Sequence, residues 1–219
     1  MDPKPVERRE AAAERSADTL FDGVHILTAP GSVMTPSSTT EALVEWAVGW
    51  IGSRSLRVAD VGTGSGAVAV AIALRAPATR IWATDDDEAA VALARANVER
   101  YDLRERVRVL LGNLLDPVPG ELDLVVANLP YLSQARSRGR AGSALHDQPE
   151  HAIYAPGDGL GYYHDLVEAC QSRLTREGAL AIQLYGSFLA VERGRLVRLS
   201  QEMERRAYAH EDKQGGTTT

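Results

Sequence analysis

The chain has 219 residues, 44% of them hydrophobic, enough for one α/β domain with a sizeable core but not for a second full domain. Its net charge of −6 argues against a broad nucleic-acid surface, which draws its strength from many lysines and arginines facing phosphates. Apolar runs such as 122–127 and 179–184 fall far short of the ~20 residues that span a bilayer, so no membrane segment is expected.

In chain order, residues 1–15 are dense in charge and lack an apolar centre, unlike a secretory signal, and a cytoplasmic protein is expected. Residues 6–18, rich in Arg, Glu and Ala, suit a solvated helix, and 23–36 mix turn residues with β-branched side chains. An amphipathic helix is expected over 39–51, with Ser37 to Thr40 available as caps. A regular alternation follows: strand 56–61, helix 66–75, strand 80–84, helix 88–101, strand 107–111, strand 122–127, helix 161–174, strand 179–184 and helix 187–206. This rhythm predicts a doubly wound, mainly parallel Rossmann-like sheet covered on both faces. The expected division is an N-terminal helical or extended segment 1–36, a ligand-binding domain 37–206 and a polar tail 207–219. The Arg/Gly/Ser-rich stretch 133–147, with Arg136, Arg138 and Arg140, breaks the rhythm and reads as a solvated lid more than a phosphate clamp. Cys170, the lone cysteine, sits among apolar residues and reads as a packed thiol. The five histidines show no metal-ligand spacing, so no metal site is expected.

The chemistry concentrates at strand ends. Asp60-Val61-Gly62-Thr63-Gly64-Ser65-Gly66 lies where the first strand of the alternation hands over to a helix, so its glycines allow a tight turn and close ligand approach. A dinucleotide site prefers GxGxxG and a P-loop needs GK[ST]; GxGxG with an acid two residues before its first glycine favours S-adenosylmethionine (SAM). Asp60, Gly62, Thr63, Gly64 and Gly66 are the loop's candidate cofactor residues. Twenty-five positions after Asp60, Asp85 ends the next strand, where a carboxylate can accept both ribose hydroxyl protons, although it could instead cap the following helix with Asp86 and Asp87. Asn113, after the third strand, offers donor and acceptor to an adenine edge. Asn128-Leu129-Pro130-Tyr131, after the fourth strand, sets an amide, a rigid proline and an aromatic ring beside the glycine loop. Asn128, Pro130 and Tyr131 are the candidate catalytic residues, and Asn128 also borders the cofactor.

The combination resembles the HemK/PrmC family of protein-(glutamine-N5) methyltransferases, whose N-P-P-Y motif follows the fourth strand. The resemblance runs from about Gly31 to Gly186 and takes in Pro36-Ser37-Ser38-Thr39-Thr40-Glu41, where the family has PRPETE, and Asp60 to Gly66, where it has DLGTGSG. It also includes Ala83-Thr84-Asp85, Gln148-Pro149, Ala152 and Gly157-Asp158-Gly159-Leu160. It implies that Asn128 and Tyr131 hold a target amide, while the glycine loop, Asp85 and Asn113 hold SAM. Leu129 replaces the first proline, a form that also resembles the adenine dimethyltransferases of ribosomal RNA. Ser37 and Ser38 replace Arg and Pro, Asn113 stands where many relatives have Asp, and Gln183 where the family often has Glu. The family's N-terminal release-factor-binding domain has no counterpart in the short segment before the core.

What the resemblance implies is an N-methyltransferase acting on a protein or peptide side chain, glutamine by default. A small-molecule acceptor and an adenine-type nucleobase stay open as alternatives. A small activating subunit or a homodimer is a candidate partner. The family's C-terminal β-hairpin is expected to be shortened or missing, which would leave strand 179–184 an open edge for 206–213 or a second copy to pair with.

Overall fold

A computed structural model describes residues 17–133, 148–185 and 187–215. Two short strands come first, β1 (Ala17–Phe21) and β2 (Val24–Thr28), then α1 (Glu41–Ile51). The alternating body comprises β3 (Arg57–Val61), α2 (Ala67–Arg75), β4 (Arg80–Asp85), α3 (Glu88–Arg100), β5 (Val107–Leu111) and β6 (Leu122–Ala127). After the small strands β7 (Leu132–Ser133) and β8 (Tyr154–Ala155) come α4 (Gly161–Arg173), β9 (Leu174–Leu184), β10 (Ser187–Glu192) and α5 (Leu196–Gly215).

Six strands form one sheet in the order β10-β9-β6-β3-β4-β5, parallel throughout except for β10. Strand order reverses between β3 and β6, and the crevice beyond their C-terminal ends is where such sheets bind ligands. Parallel strands covered on both faces must be apolar on both, and β6 is: Leu124, Val125, Val126 and Ala127 are fully buried, with Leu124 and Val126 in one core and Val125 and Ala127 in the other. Helix α2 is Ala/Val-rich because Ala67 through Ala73 are all buried, so small side chains set its close approach to the sheet. Cys170 is completely buried and its thiol is pushed up to about 12 by desolvation, the packed role read from its neighbours.

Two regions differ from the sequence reading. Ala17 and Asp18, assigned to a helix over 6–18, open an antiparallel hairpin instead; the rest of that stretch lies outside the described residues. Its turn is Asp22-Gly23, both at positive φ (48° and 75°), the two-residue geometry whose twist matches paired strands. Residues 187–206 are not one helix. Ser187–Glu192 folds back antiparallel on β9, with Phe188 opposite Gln183 and Val191 opposite Leu180, and the helix begins only at Leu196. Strands β9 and β10 thus form an antiparallel pair at the C-terminal side of the sheet. Strand β9 is not an open edge, and 206–213 is helical rather than a strand; Leu196, Leu199 and Met203 bury α5 against the sheet. Among the described residues no helix is long and apolar enough to cross a membrane.

The N-terminal hairpin is fastened by Asn97 of α3, whose side chain is fully buried. Its Oδ1 accepts the Leu27 N–H at 2.8 Å, and its Nδ2 donates to the carbonyls of Leu27 at 3.0 Å and Ser65 at 2.8 Å. One carboxamide therefore ties the hairpin to the glycine loop. Asn97→Ala strands three polar backbone groups and should cost about 3 kcal/mol in urea unfolding, at roughly 1 kcal/mol per bond. A loss well under 1 kcal/mol would mean that apolar contacts alone dock the hairpin.

Candidate active site

The glycine loop is shaped by a buried acid. Asp60, 2% exposed, accepts the Thr63 hydroxyl at 2.6 Å and the Ala69 N–H at 3.1 Å, bending the chain from β3 into α2. The Gly62 and Thr63 N–H groups both donate to the Thr84 carbonyl at 2.9 Å, fixing the loop to the end of β4. Gly62 has φ 68°, and a Cβ there would meet Leu129 Cδ2 at 2.5 Å; Gly66 has φ 79°, and a Cβ would press on Ala94 of α3 at 3.1 Å. These two glycines serve packing between elements. Gly64 has open space around it, with only Val33 Cγ1 at 3.9 Å, so a ligand can lie directly on its backbone.

Asp85 ends β4 where the alternation placed it. Its Oδ2 accepts the Gly64 N–H at 2.8 Å and its Oδ1 the Asp87 N–H at 3.1 Å. Capping of α3 falls to Asp87, which accepts the Ala89 N–H at 2.8 Å, so Asp85 is not the cap. Each Asp85 oxygen keeps a lone pair for a ligand hydroxyl. Desolvation holds its carboxyl above the ordinary carboxylate range. Asn113 is exposed on the cleft wall after Gly112, whose N–H donates to the Asp85 carbonyl at 2.9 Å.

Across the cleft, Asn128 is half-buried and its Nδ2 donates to Thr40 Oγ1 at 3.2 Å. That turns Oδ1 into the free end of the amide, since it takes no bond among the described residues. Leu129 is locked from behind by Tyr163, a fully buried tyrosine of α4. The Tyr163 hydroxyl accepts the Leu129 N–H at 3.0 Å and lies 2.6 Å from the Gln183 carbonyl and 3.0 Å from the Leu129 carbonyl. A hydroxyl has one proton. The closer Gln183 carbonyl takes it, and the Leu129 carbonyl keeps its lone pairs. Pro130 lines the cleft. Tyr131 stands just outside the lining, half-buried against Tyr185 with ring centroids 5.0 Å apart and edge to face.

The cleft encloses about 1200 Å³ of empty space, its open mouth included. Among the described residues its charged walls are Asp60, Asp85, Asp86 and Asp87 with a single imidazole, His151, and no lysine or arginine. Such a site repels a pyrophosphate and suits a cation carrying hydroxyls. The segment after 148 closes it from the outside: Gln148 Oε1 accepts the Thr35 N–H at 3.0 Å, and His151 Nε2 lies 3.2 Å from Asp87 Oδ2. Sequence reasoning missed Asn97, Tyr163, Tyr162 and His151. A buried tyrosine two residues into a helix gives no local signal, whereas His151 stands two residues after Pro149 of the quoted Gln148-Pro149 motif. Arg136, Arg138 and Arg140 lie outside the described residues. Among the described residues no three His, Cys, Asp or Glu side chains form a metal-holding group.

A doubly wound sheet with an acidic, glycine-floored cleft at its switch point and an Asn-Leu-Pro-Tyr wall defines a Rossmann-like methyltransferase domain. Residues 38–160 match the methyltransferase small domain, and the chain belongs to that family. It is 37% identical over 155 residues to the release factor glutamine methyltransferase of Gloeobacter violaceus, covering 70% of this chain and 54% of that protein. The Bordetella pertussis release factor glutamine methyltransferase is 38% identical over 151 residues, covering 68% and 55%. The chain thus spans about half the length of these curated relatives. Among solved structures, the T. thermophilus 16S rRNA N2 methyltransferase RsmC, in complex with AdoMet and guanosine, superposes with a TM-score of 0.55 at 18% identity, covering 77% of this chain and 41% of that one.

The buried acid makes a testable demand. Desolvation, opposed by the Thr63 and Ala69 bonds, raises the Asp60 carboxyl from 3.8 to about 6. The folded state then binds this proton more tightly than the unfolded chain. The penalty is absent below pH ~4 and complete above pH ~6, so stability falls as pH rises through that window, by about 3 kcal/mol. Asp60→Asn keeps an acceptor oxygen but cannot ionise. Urea unfolding should therefore show the variant gaining on the wild type by about 3 kcal/mol between pH 4 and pH 7. A difference that stays flat across this range would show that the Asp60 carboxyl is not raised by burial.

Proposed function

We propose that this chain is a cytoplasmic SAM-dependent N-methyltransferase whose acceptor is an amide nitrogen, in the first place a glutamine side chain of a protein such as a release factor. Family membership and the names of the curated relatives support this reading. The observation that carries it is the orientation of Asn128, whose Nδ2 is spent on Thr40 so that its Oδ1 is the end left for an acceptor.

The residues present fit SAM. Asp85 keeps lone pairs for a ribose, Asn113 offers an exposed amide, Gly64 leaves its backbone bare, and the walls carry carboxylates with no lysine or arginine among the described residues. When bound, SAM supplies an electrophilic methyl group on a positively charged sulfur. Everything else is orientation. An amide nitrogen is a poor nucleophile because its lone pair is delocalised into its carbonyl. Asn128 Oδ1 and the Leu129 carbonyl can accept the two N–H bonds of the target amide, aiming the nitrogen and favouring its pyramidalisation. As positive charge develops on that nitrogen, the same two oxygens bind it more strongly, which is where the rate is gained, and one of its two N–H protons then leaves to solvent water so that the methylated amide is neutral. Pro130 stiffens the turn, and Tyr131, packed on Tyr185 just outside the lining, borders the acceptor's side of the cleft.

Two substitutions should separate binding from turnover. Asp85→Ala removes a charged acceptor and should weaken SAM binding by about 1.5–3 kcal/mol, some 10- to 150-fold, by calorimetry. Asn128→Ala should leave SAM affinity nearly unchanged and lower kcat by two or more orders of magnitude, about 2.7 kcal/mol. Full turnover in the Asn128 variant on the true acceptor would place the chemistry elsewhere.

A further inference from the structure

Methyl transfer uses the C-terminal edge of the parallel strands. At the opposite edge a second cavity opens, walled by Arg57, Arg80, Arg106, Arg108 and the ring of Trp82, with Glu105 the lone acid. Strand register assembles it. Arg57 pairs with Arg80, and Ile81 with Val107, so Arg57, Arg80 and Arg106 stand in one cross-strand row; Arg108 pairs with Trp82 one step along. Like charges side by side on a sheet cost stability.

Two of the four arginines have structural work. Arg57 donates to the carbonyls of Glu121 and Pro119 and lies 4.2 Å over the Trp82 ring, and Arg106 donates to the Ala73 carbonyl at 2.7 Å. The side chains of Arg80 and Arg108 are exposed and make no hydrogen bond or ion pair among the described residues. Trp82 is only 6% exposed, yet its indole N–H finds no acceptor among the described residues. Buried donors without partners are rare enough to call for an explanation. Apart from Glu105, the polar side chains of the cavity are all donors, so the missing partner is an acceptor-only anion. A carboxylate fills one guanidinium fork. A phosphate group presents several acceptor oxygens, with nearly two charges as a free ion and one per group along a nucleic-acid backbone, which matches the several guanidinium groups gathered here.

We propose that this cavity is a phosphate-binding site, separate from the methyl-transfer cleft and held at the other end of the same sheet. Two sources carry that chemistry, a free phosphate or pyrophosphate ion and the backbone of an RNA strand.

The three tryptophans, Trp46, Trp50 and Trp82, should each give one indole N–H signal in a ¹H–¹⁵N spectrum of the full chain, with that of Trp82 assigned by Trp82→Phe. Titration with inorganic phosphate or pyrophosphate should move the Trp82 signal to saturation at low ionic strength and leave Trp46 and Trp50 in place. Arg80→Ala combined with Arg108→Ala should weaken the response by at least ~10-fold, the loss of one or more charge-assisted bonds. Thermal unfolding without phosphate checks that this double variant is folded, and Arg80→Gln with Arg108→Gln serves if it is not. A short single-stranded RNA that binds at least ~10-fold tighter than pyrophosphate and competes with it assigns the source to nucleic acid, whose several phosphates release counterions together; equal or weaker binding assigns it to the free ion. No movement of the Trp82 signal with either probe, movement that survives the double variants, or movement with an Asp/Glu-rich peptide alone would overturn the proposal.

Discussion

The active end of this molecule depends on one buried carboxylate. Asp60 is held away from water by β3 and α2, and its two hydrogen bonds, to Thr63 and Ala69, decide where the glycine loop turns. Without that turn Gly64 would not reach Asp85, and the floor of the cleft would not form. The carboxyl's raised affinity for protons is the cost of the arrangement. A neutral residue could fold the loop, so the retained acid also adds negative charge beside Asp85 in a site that must hold a cation.

The far wall is built on the same economy. A single hydroxyl, that of Tyr163, gathers the ends of β6 and β9 and the face of α4, and thereby fixes the Leu129 backbone beside Asn128. The two walls approach so closely that Gly62 cannot carry a side chain without striking Leu129. Rigidity here has a chemical purpose, because a weak nucleophile gains more from correct aim than from a strong base. The sheet also separates charge along its strands, with Asp85, Asp86 and Asp87 at the C-terminal edge and Arg57, Arg80 and Arg108 at the other.

Much of this was legible from the residues alone, for physical reasons that also explain the failures. The five parallel strands are short, mostly apolar runs, three of them ending at or beside Asp60, Asp85 or Asn128, and a buried parallel strand has few other ways to look. The glycine spacing and Asp85 located the cleft because strand ends and ligands coincide in this fold. Ser187–Glu192 was read as helix because its Phe-Leu-Ala-Val run fits either period and charged residues follow it; Gly194, just before the true helix, was the overlooked boundary. The first hairpin did carry a signal, the Asp22-Gly23 pair, hidden by the charged stretch before it. Asn97 and Tyr163 were invisible because their roles come from partners 20 to 70 positions away. Tyr131 is the candidate that geometry places least directly, turned toward Tyr185 rather than into the cleft.

The most direct measurement is to follow the methyl group. Incubating the chain with methyl-labelled SAM and separate pools of release factor, cell peptides, RNA and metabolites, then mapping the product by tandem mass spectrometry, identifies the acceptor atom. Asn128 Oδ1 and the Leu129 carbonyl, each set to receive one N–H bond, predict one added methyl on the side-chain nitrogen of a glutamine in the protein pool, and none when Asn128 is alanine. A methyl group found on a nucleobase or a small metabolite, or transfer that persists in the Asn128→Ala chain, would contradict it.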